Sequence, residues 1–190
     1  ILSADPSIVN DAKSIPNLTY EEAMELAHAG ARVIFPPTMI PAKFKQIPIV
    51  IKNTFNPDYP GSLIKHTRRV NGEKAVGISS ISDISLLRFQ GAGMVSIPGI
   101  NSRIFSALAK KKVSVLLVSQ AFSEHATCFA LNPLMVRKAI KALEEEFAVE
   151  MKNHYIDPIR IEEKLSMVAV VGEGMRHTPG ISGTVFGTLG

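Results

Sequence analysis

The residues with the strongest claim to chemistry lie in two glycine-bracketed loops that repeat one another 81 residues apart. Gly91–Leu108 reads GAGMVSIPGINSRIFSAL and Gly172–Leu189 reads GEGMRHTPGISGTVFGTL. Eight of the eighteen aligned positions are identical, among them Gly91/Gly172, Met94/Met175, Pro98/Pro179 and Gly99/Gly180. Average composition would give roughly one match. A dinucleotide-binding loop needs a third glycine, and Ser96 and His177 stand in its place. The better chemistry is capture of a small carboxylate, because a glycine loop leading into a helix N-terminus presents free N–H groups. Duplication gives two pseudo-equivalent sites, the pattern of a sensor more than of a catalyst.

Outside the loops, one polar residue stands apart. Gln120 follows an apolar β-rich run, and an amide at a strand end both donates and accepts. That suits a ligand carrying hydroxyl, amine and carboxylate together. His28, His66, His154 and His177 show no metal-ligand spacing, so no metal site is expected. Cys128 lies in the apolar run CFAL and reads as a reduced, buried residue. His125, three positions away, would point to the opposite face of a strand, which argues against a thiol–imidazole pair. No catalytic residue is assigned.

The elements that position these residues follow from periodicity and punctuation. Thr19-Tyr20-Glu21-Glu22 fits a capping box opening a helix, with Gly30 closing it. Ile47–Ile51 reads as a strand, and the polar stretch around Asn71-Gly72 as a linker. Beyond it come a strand over Ile84–Gln90, the Gly91–Gly99 loop and a helix over Asn101–Lys111. Strands over Val113–Ser119 and Ala126–Leu131 follow, then a helix capped by Asn132-Pro133 and a closing strand over Ala148–Met151. This βαββαβ order predicts an α+β, ferredoxin-like fold with two helices on one face of a four-stranded sheet. Ser166–Val171 begins the cycle again. The expected organisation is residues 1–64, a linker over 65–78, a domain over 79–157 and a second, truncated one over 158–190.

Composition narrows the function classes. The chain has 190 residues, is 46% hydrophobic and has a net charge of +4, spread rather than clustered. Lys110-Lys111-Lys112 lacks interleaved aromatics, so no nucleic-acid partner is expected. A run of eighteen apolar residues is absent, so no membrane partner is expected and a cytoplasmic location is. The start without methionine and the second copy cut short at Gly190 read as a fragment of something longer.

The stretch ISLLRFQGAGMVSIPGINSRIFSALAKKKVSVLLVSQAFSEHATCFAL resembles the first ACT domain of the aspartokinases, most closely the bifunctional aspartokinase–homoserine dehydrogenases. LSMVAVVGEGMRHTPGISGTVFGTLG resembles the start of their second ACT domain. LSADPSIVNDAKSIPNLTYEEAMELAHAGARVIFPPTMIPA resembles the end of their catalytic amino-acid-kinase domain. The resemblance implies a nucleotide-binding remnant at Asp5 and Arg32, with Ser7 standing where the family has an arginine. ATP and magnesium belong to the parent kinase; no cofactor is expected for this segment. The family's phosphate-binding and aspartate-binding motifs are missing, so the chain alone is predicted not to phosphorylate aspartate.

For the regulatory part, the resemblance implies an effector site at Met94, Ser96, Pro98, Gly99, Ile100, Asn101, Val118 and Gln120. The Val118-Ser119-Gln120 segment matches a threonine-contacting motif. Lysine-responsive relatives carry an acid where this chain has Leu116, which favours L-threonine over L-lysine as effector. A homodimer paired through ACT domains is implied. An effector-free dimerisation module and residual nucleotide binding through Arg32 are the rival readings.

Overall fold

The computed structural model describes residues 1–68, 74–95, 97–120, 125–176 and 178–190. The chain divides into two compact units, one of residues 1–81 with 167–190, the other of residues 82–166. The boundaries fall within two long strands, β4 (Gly77–Gln90) and β7 (Arg160–Val171).

The first unit opens with β1 (Asn17–Thr19) and α1 (Tyr20–His28). The capping box is formed: Thr19 accepts from the Glu22 N–H, and Glu22 accepts from the Thr19 N–H. Ala29 caps the far end, and Gly30 follows with a positive φ of 116°. Then come α2 (Pro36–Phe44), β2 (Ile49–Ile51) and β3 (Ser62–Lys65). The sheet order is β1-β3-β2, with β1 parallel and β2 antiparallel to β3. Leu18, Tyr20, Leu26, Met39 and Ile64 fill this core, joined by Val76 and Val171. The Val76 N–H donates to the Val171 carbonyl at 2.7 Å, so the segment before β4 is stitched to the end of β7. After β7, a short 3-10 turn at Glu173–Met175 leads to α6 (Ile181–Leu189).

In the second unit, β4 leads through a 3-10 turn at Ala92–Met94 into α3 (Ile100–Lys110). There follow β5 (Leu117–Gln120), β6 (Ala126–Leu131), α4 (Pro133–Glu146) and α5 (Ala148–Lys152). The strands lie in the order β5-β6-β4-β7. Both β4 and β5 run antiparallel to β6. One face of the sheet sends Leu87, Phe89, Phe129 and Leu131 into a core closed by Ile100, Ile104 and Leu108 of α3 and by Val136, Ala139 and Leu143 of α4. Burying each of the larger of these side chains contributes about 1.5–3 kcal/mol. Asn132 caps α4 through the Leu134 N–H, as its position before Pro133 predicts.

Three expectations need correction. Ala148–Met151 is helix α5 and not a closing strand; β7 takes that place. The reason is Arg103, which reaches Glu146 Oε1 at 2.9 Å and Glu150 Oε1 at 2.6 Å, one helical turn apart, while stacking 4.4 Å over the Phe147 ring. The strand expected over Val113–Ser119 is β5 from Leu117, preceded by a Leu116 N–H bond to the Ala130 carbonyl, with Val113 turned into the core. Cys128 is half-buried, on the face opposite Phe129. Of the expected linker, Lys65 ends β3, and Arg68 is held by Glu22. Asn71-Gly72 lies outside the described residues.

Candidate functional site

The described residues of both glycine loops adopt the same local structure. Each has a 3-10 turn one residue after its first glycine, and each helix is entered through a left-handed glycine, Gly99 at φ 85° and Gly180 at φ 87°. Gly91 is needed for a different reason. A Cβ there would lie 2.6 Å from the Ile156 Cα, and one on Gly172 would lie 2.6 Å from the Lys74 carbonyl oxygen. Backbone passes too close for any side chain, so the glycines are explained by packing and not by a phosphate.

The first loop delivers its residues to different fates. Met94 is fully buried and Ile100 nearly so, both in the core, leaving only their backbone to a ligand. Pro98 and Gly99 are exposed at the turn into α3. Ser96 lies outside the described residues. Asn101 sits in the first turn of α3, and its Nδ2 donates to Gln120 Oε1 at 3.2 Å. The two residues singled out at the helix start and the strand end thus meet. Val118, two residues earlier on the edge strand, is 42% exposed on the same face as Gln120.

Thr127 was not anticipated. It pairs directly with Gln120 in the β5–β6 ladder, so both side chains stand on the same face. Thr127 is buried and, among the described residues, its Oγ1 has no hydrogen-bond partner; neither has the buried Asn101 Oδ1. Buried polar atoms are nearly always paired, so unpaired ones beside an exposed amide mark a place where a polar ligand completes the bonding. The available signal was a hydroxyl inside the apolar run ATCFAL. Phe105, 41% exposed, stacks edge-on against Phe129 at 5.9 Å and adds an apolar surface on the same helix.

The two residues of the expected nucleotide remnant are less promising. Asp5 Oδ1 accepts from the Ser7 N–H at 2.9 Å and the Ser7 hydroxyl at 2.6 Å. These bonds hold its carboxyl below the usual range. Arg32 is exposed shortly after α1. An exposed carboxylate turned to Ser7 and one cation do not amount to a phosphate cradle. Among the described residues, no group of three or more His, Cys, Asp or Glu side chains is placed to hold a metal ion, and no helix is long and apolar enough to cross a membrane.

A family model for the amino acid kinase family matches residues 1–53, and one for the ACT domain matches residues 87–147. The bifunctional aspartokinase/homoserine dehydrogenase of Haemophilus influenzae is 38% identical over 189 residues, which is 100% of this chain and 23% of that protein. The chain is an aspartokinase homologue over its whole length. The chloroplastic bifunctional aspartokinase/homoserine dehydrogenase 1 of Arabidopsis thaliana is 37% identical over 100% of the chain and 21% of its own length. This chain therefore spans between a fifth and a quarter of these two bifunctional relatives.

Among solved structures, Clostridium acetobutylicum aspartate kinase superposes with a TM-score of 0.87 at 30% identity, over 100% of this chain and 43% of that one. E. coli aspartokinase III in complex with lysine and aspartate superposes with a TM-score of 0.78 at 25% identity, over 100% and 41%. The fold is thus an amino-acid-kinase C-terminal portion with the ACT regulatory region of aspartate kinases.

Proposed function

We propose that the ACT region of this chain senses L-threonine and thereby controls phosphorylation of L-aspartate by ATP in the protein to which it belongs. The observation that carries the reading is the junction of Asn101 with Gln120 above the unpaired hydroxyl of Thr127. The start of α3 offers backbone N–H groups to a carboxylate. Gln120, with the Asn101 amide bonded beside it and Thr127 Oγ1 across the ladder, offers donors and acceptors to an ammonium and a hydroxyl. Leu116, exposed just before β5, provides no anion for a distant ammonium, which favours threonine over lysine. Effector binding is read out as a coupling free energy of about 1–3 kcal/mol to the kinase site.

The test is a thermal-shift comparison of the chain with L-threonine and with L-lysine, repeated on Gln120→Ala. Stabilisation by threonine that disappears in the variant supports the reading. Stabilisation by lysine alone assigns the site to the lysine-controlled kind.

A second reading is favoured by the edge strand itself. Leu116, just before β5, and Leu117 and Val118 within it are 43%, 50% and 42% exposed, an apolar strand edge suited to pairing with a second copy. A homodimer through these edges is compatible with effector sensing; a dimer that binds neither amino acid makes the module a scaffold.

A further inference from the structure

One buried carboxylate in the first unit is used by neither the effector site nor the nucleotide remnant. Glu22, in the first turn of α1, is 2% exposed. Its Oε2 accepts from the Thr19 N–H at 3.0 Å and from Arg68 Nε at 2.8 Å. Its Oε1 accepts from Arg68 Nη2 at 2.9 Å and from the backbone N–H of Glu173 at 2.9 Å. The four acceptor positions of a carboxylate are therefore all occupied. Glu173 is 151 residues away in sequence and begins the 3-10 turn of the second glycine loop.

Such a carboxylate is an exacting joint. Losing the Glu173 N–H would leave an acceptor unfilled beside a buried ion pair, which a buried charge tolerates poorly. The opposite end of α1 is held as well. Gly30 is so close to the Ser80 backbone that a Cβ would strike the Ser80 carbonyl, so the helix abuts the first residues of β4. Both holding elements, residues 77–81 and 172–173, belong with α1 to the first unit.

We infer that Glu22 couples the second glycine loop to α1: the loop keeps its geometry only while the helix presents its carboxylate, and the helix start keeps its geometry only while the loop donates its N–H. A change at the second copy's loop is passed through Glu22 into α1, which ends at His28. The inference does not depend on which amino acid, if any, the first loop binds.

The test uses hydrogen–deuterium exchange on the whole chain, comparing Glu173→Pro with Glu173→Ala. Proline deletes the N–H donor, whereas alanine keeps it and removes only the side chain. The expected result is exchange about tenfold faster in the first turn of α1 for Glu173→Pro, the effect of one lost bond to a charged acceptor, and no change there for Glu173→Ala. In a Glu22→Gln background the proline substitution should add little, because the joint is already weakened. Equal exchange in α1 for both Glu173 variants overturns the inference, as does an undiminished proline effect without the Glu22 charge. Should the proline variant not fold, the amide proton shift of Glu173 decides. It should move upfield in Glu22→Gln together with that of Thr19, and a Glu173 resonance that stays in place overturns the proposal.

Discussion

Asn101 in the first turn of α3 donates from Nδ2 to Gln120 Oε1 at the end of β5, and the other oxygen of the pair, Asn101 Oδ1, is buried without a partner among the described residues. Half of this amide's capacity is spent joining helix to strand, and the other half remains for something else. Thr127, which faces Gln120 across the ladder, is in the same condition. The effector reading rests on these atoms.

Thr127→Val separates stability from binding. The substitution keeps the volume and removes a buried, unpaired hydroxyl, which costs the free chain about 1–3 kcal/mol. The variant should unfold at higher denaturant than the parent and bind L-threonine at least about tenfold more weakly. Equilibrium urea unfolding with parallel ligand titration checks both halves; a destabilised variant that still binds would contradict the assignment.

Arg103→Ala should loosen α5. The guanidinium holds Glu146, Glu150 and the Glu146 carbonyl and covers Phe147. Its side chain is 40% exposed, so solvent screening reduces each ion pair. With the cation–π contact and the buried stem included, the loss is about 1–2 kcal/mol. Chemical denaturation measures the loss, and exchange confined to Ala148–Lys152 locates it.

The two glycines of the first loop should respond differently to alanine. Gly99 has a left-handed φ with open space where a Cβ would go, so the cost is conformational, about 1–2 kcal/mol. At Gly91 the added carbon meets the Ile156 backbone, which cannot move without breaking the Gly93 N–H bond to the Tyr155 carbonyl at 2.8 Å. Gly91→Ala should therefore cost clearly more than Gly99→Ala, a ranking that thermal melts test directly.

Acid should weaken the first unit through Glu22. Burial alone would raise its pKa, but the Arg68 ion pair and the N–H groups of Glu173 and Thr19 outweigh it and hold the carboxyl below its ordinary value of 4.5. A depressed folded-state pKa gives stability that is fully present above the unfolded value and is lost as pH falls through the folded one. Unfolding free energy should thus be flat above about pH 5 and decline below about pH 4. Glu22→Gln should show a shallower decline in urea melts between pH 7 and pH 3; an unchanged slope would contradict the assignment.

How much of this was legible beforehand depended on distance along the chain. The Thr19–Glu22 capping box, the Asn132-Pro133 helix start and the repeated loops are local signals, and each is present as read. The partnership of Asn101 and Gln120 was half legible, since both residue types stood out, though their contact depends on strand pairing. Thr127, Arg103 and the contacts of Glu22 with Arg68 and Glu173 were not. Their importance comes from partners 7 to 151 residues away, which no periodicity encodes. The helix at Ala148–Lys152 has a local signal too, since Ala148, Glu150, Met151 and Lys152 are good helix formers, and the βαββαβ order hid it; a guanidinium arriving from α3 then fixes it.

The measurement that tests the central claim most directly is calorimetric titration of the chain with L-threonine, with L-lysine alongside. The account predicts saturable threonine binding that is lost in Gln120→Ala and no comparable binding of lysine. Lysine binding of equal or greater strength, or threonine binding unaffected by Gln120→Ala, would contradict it.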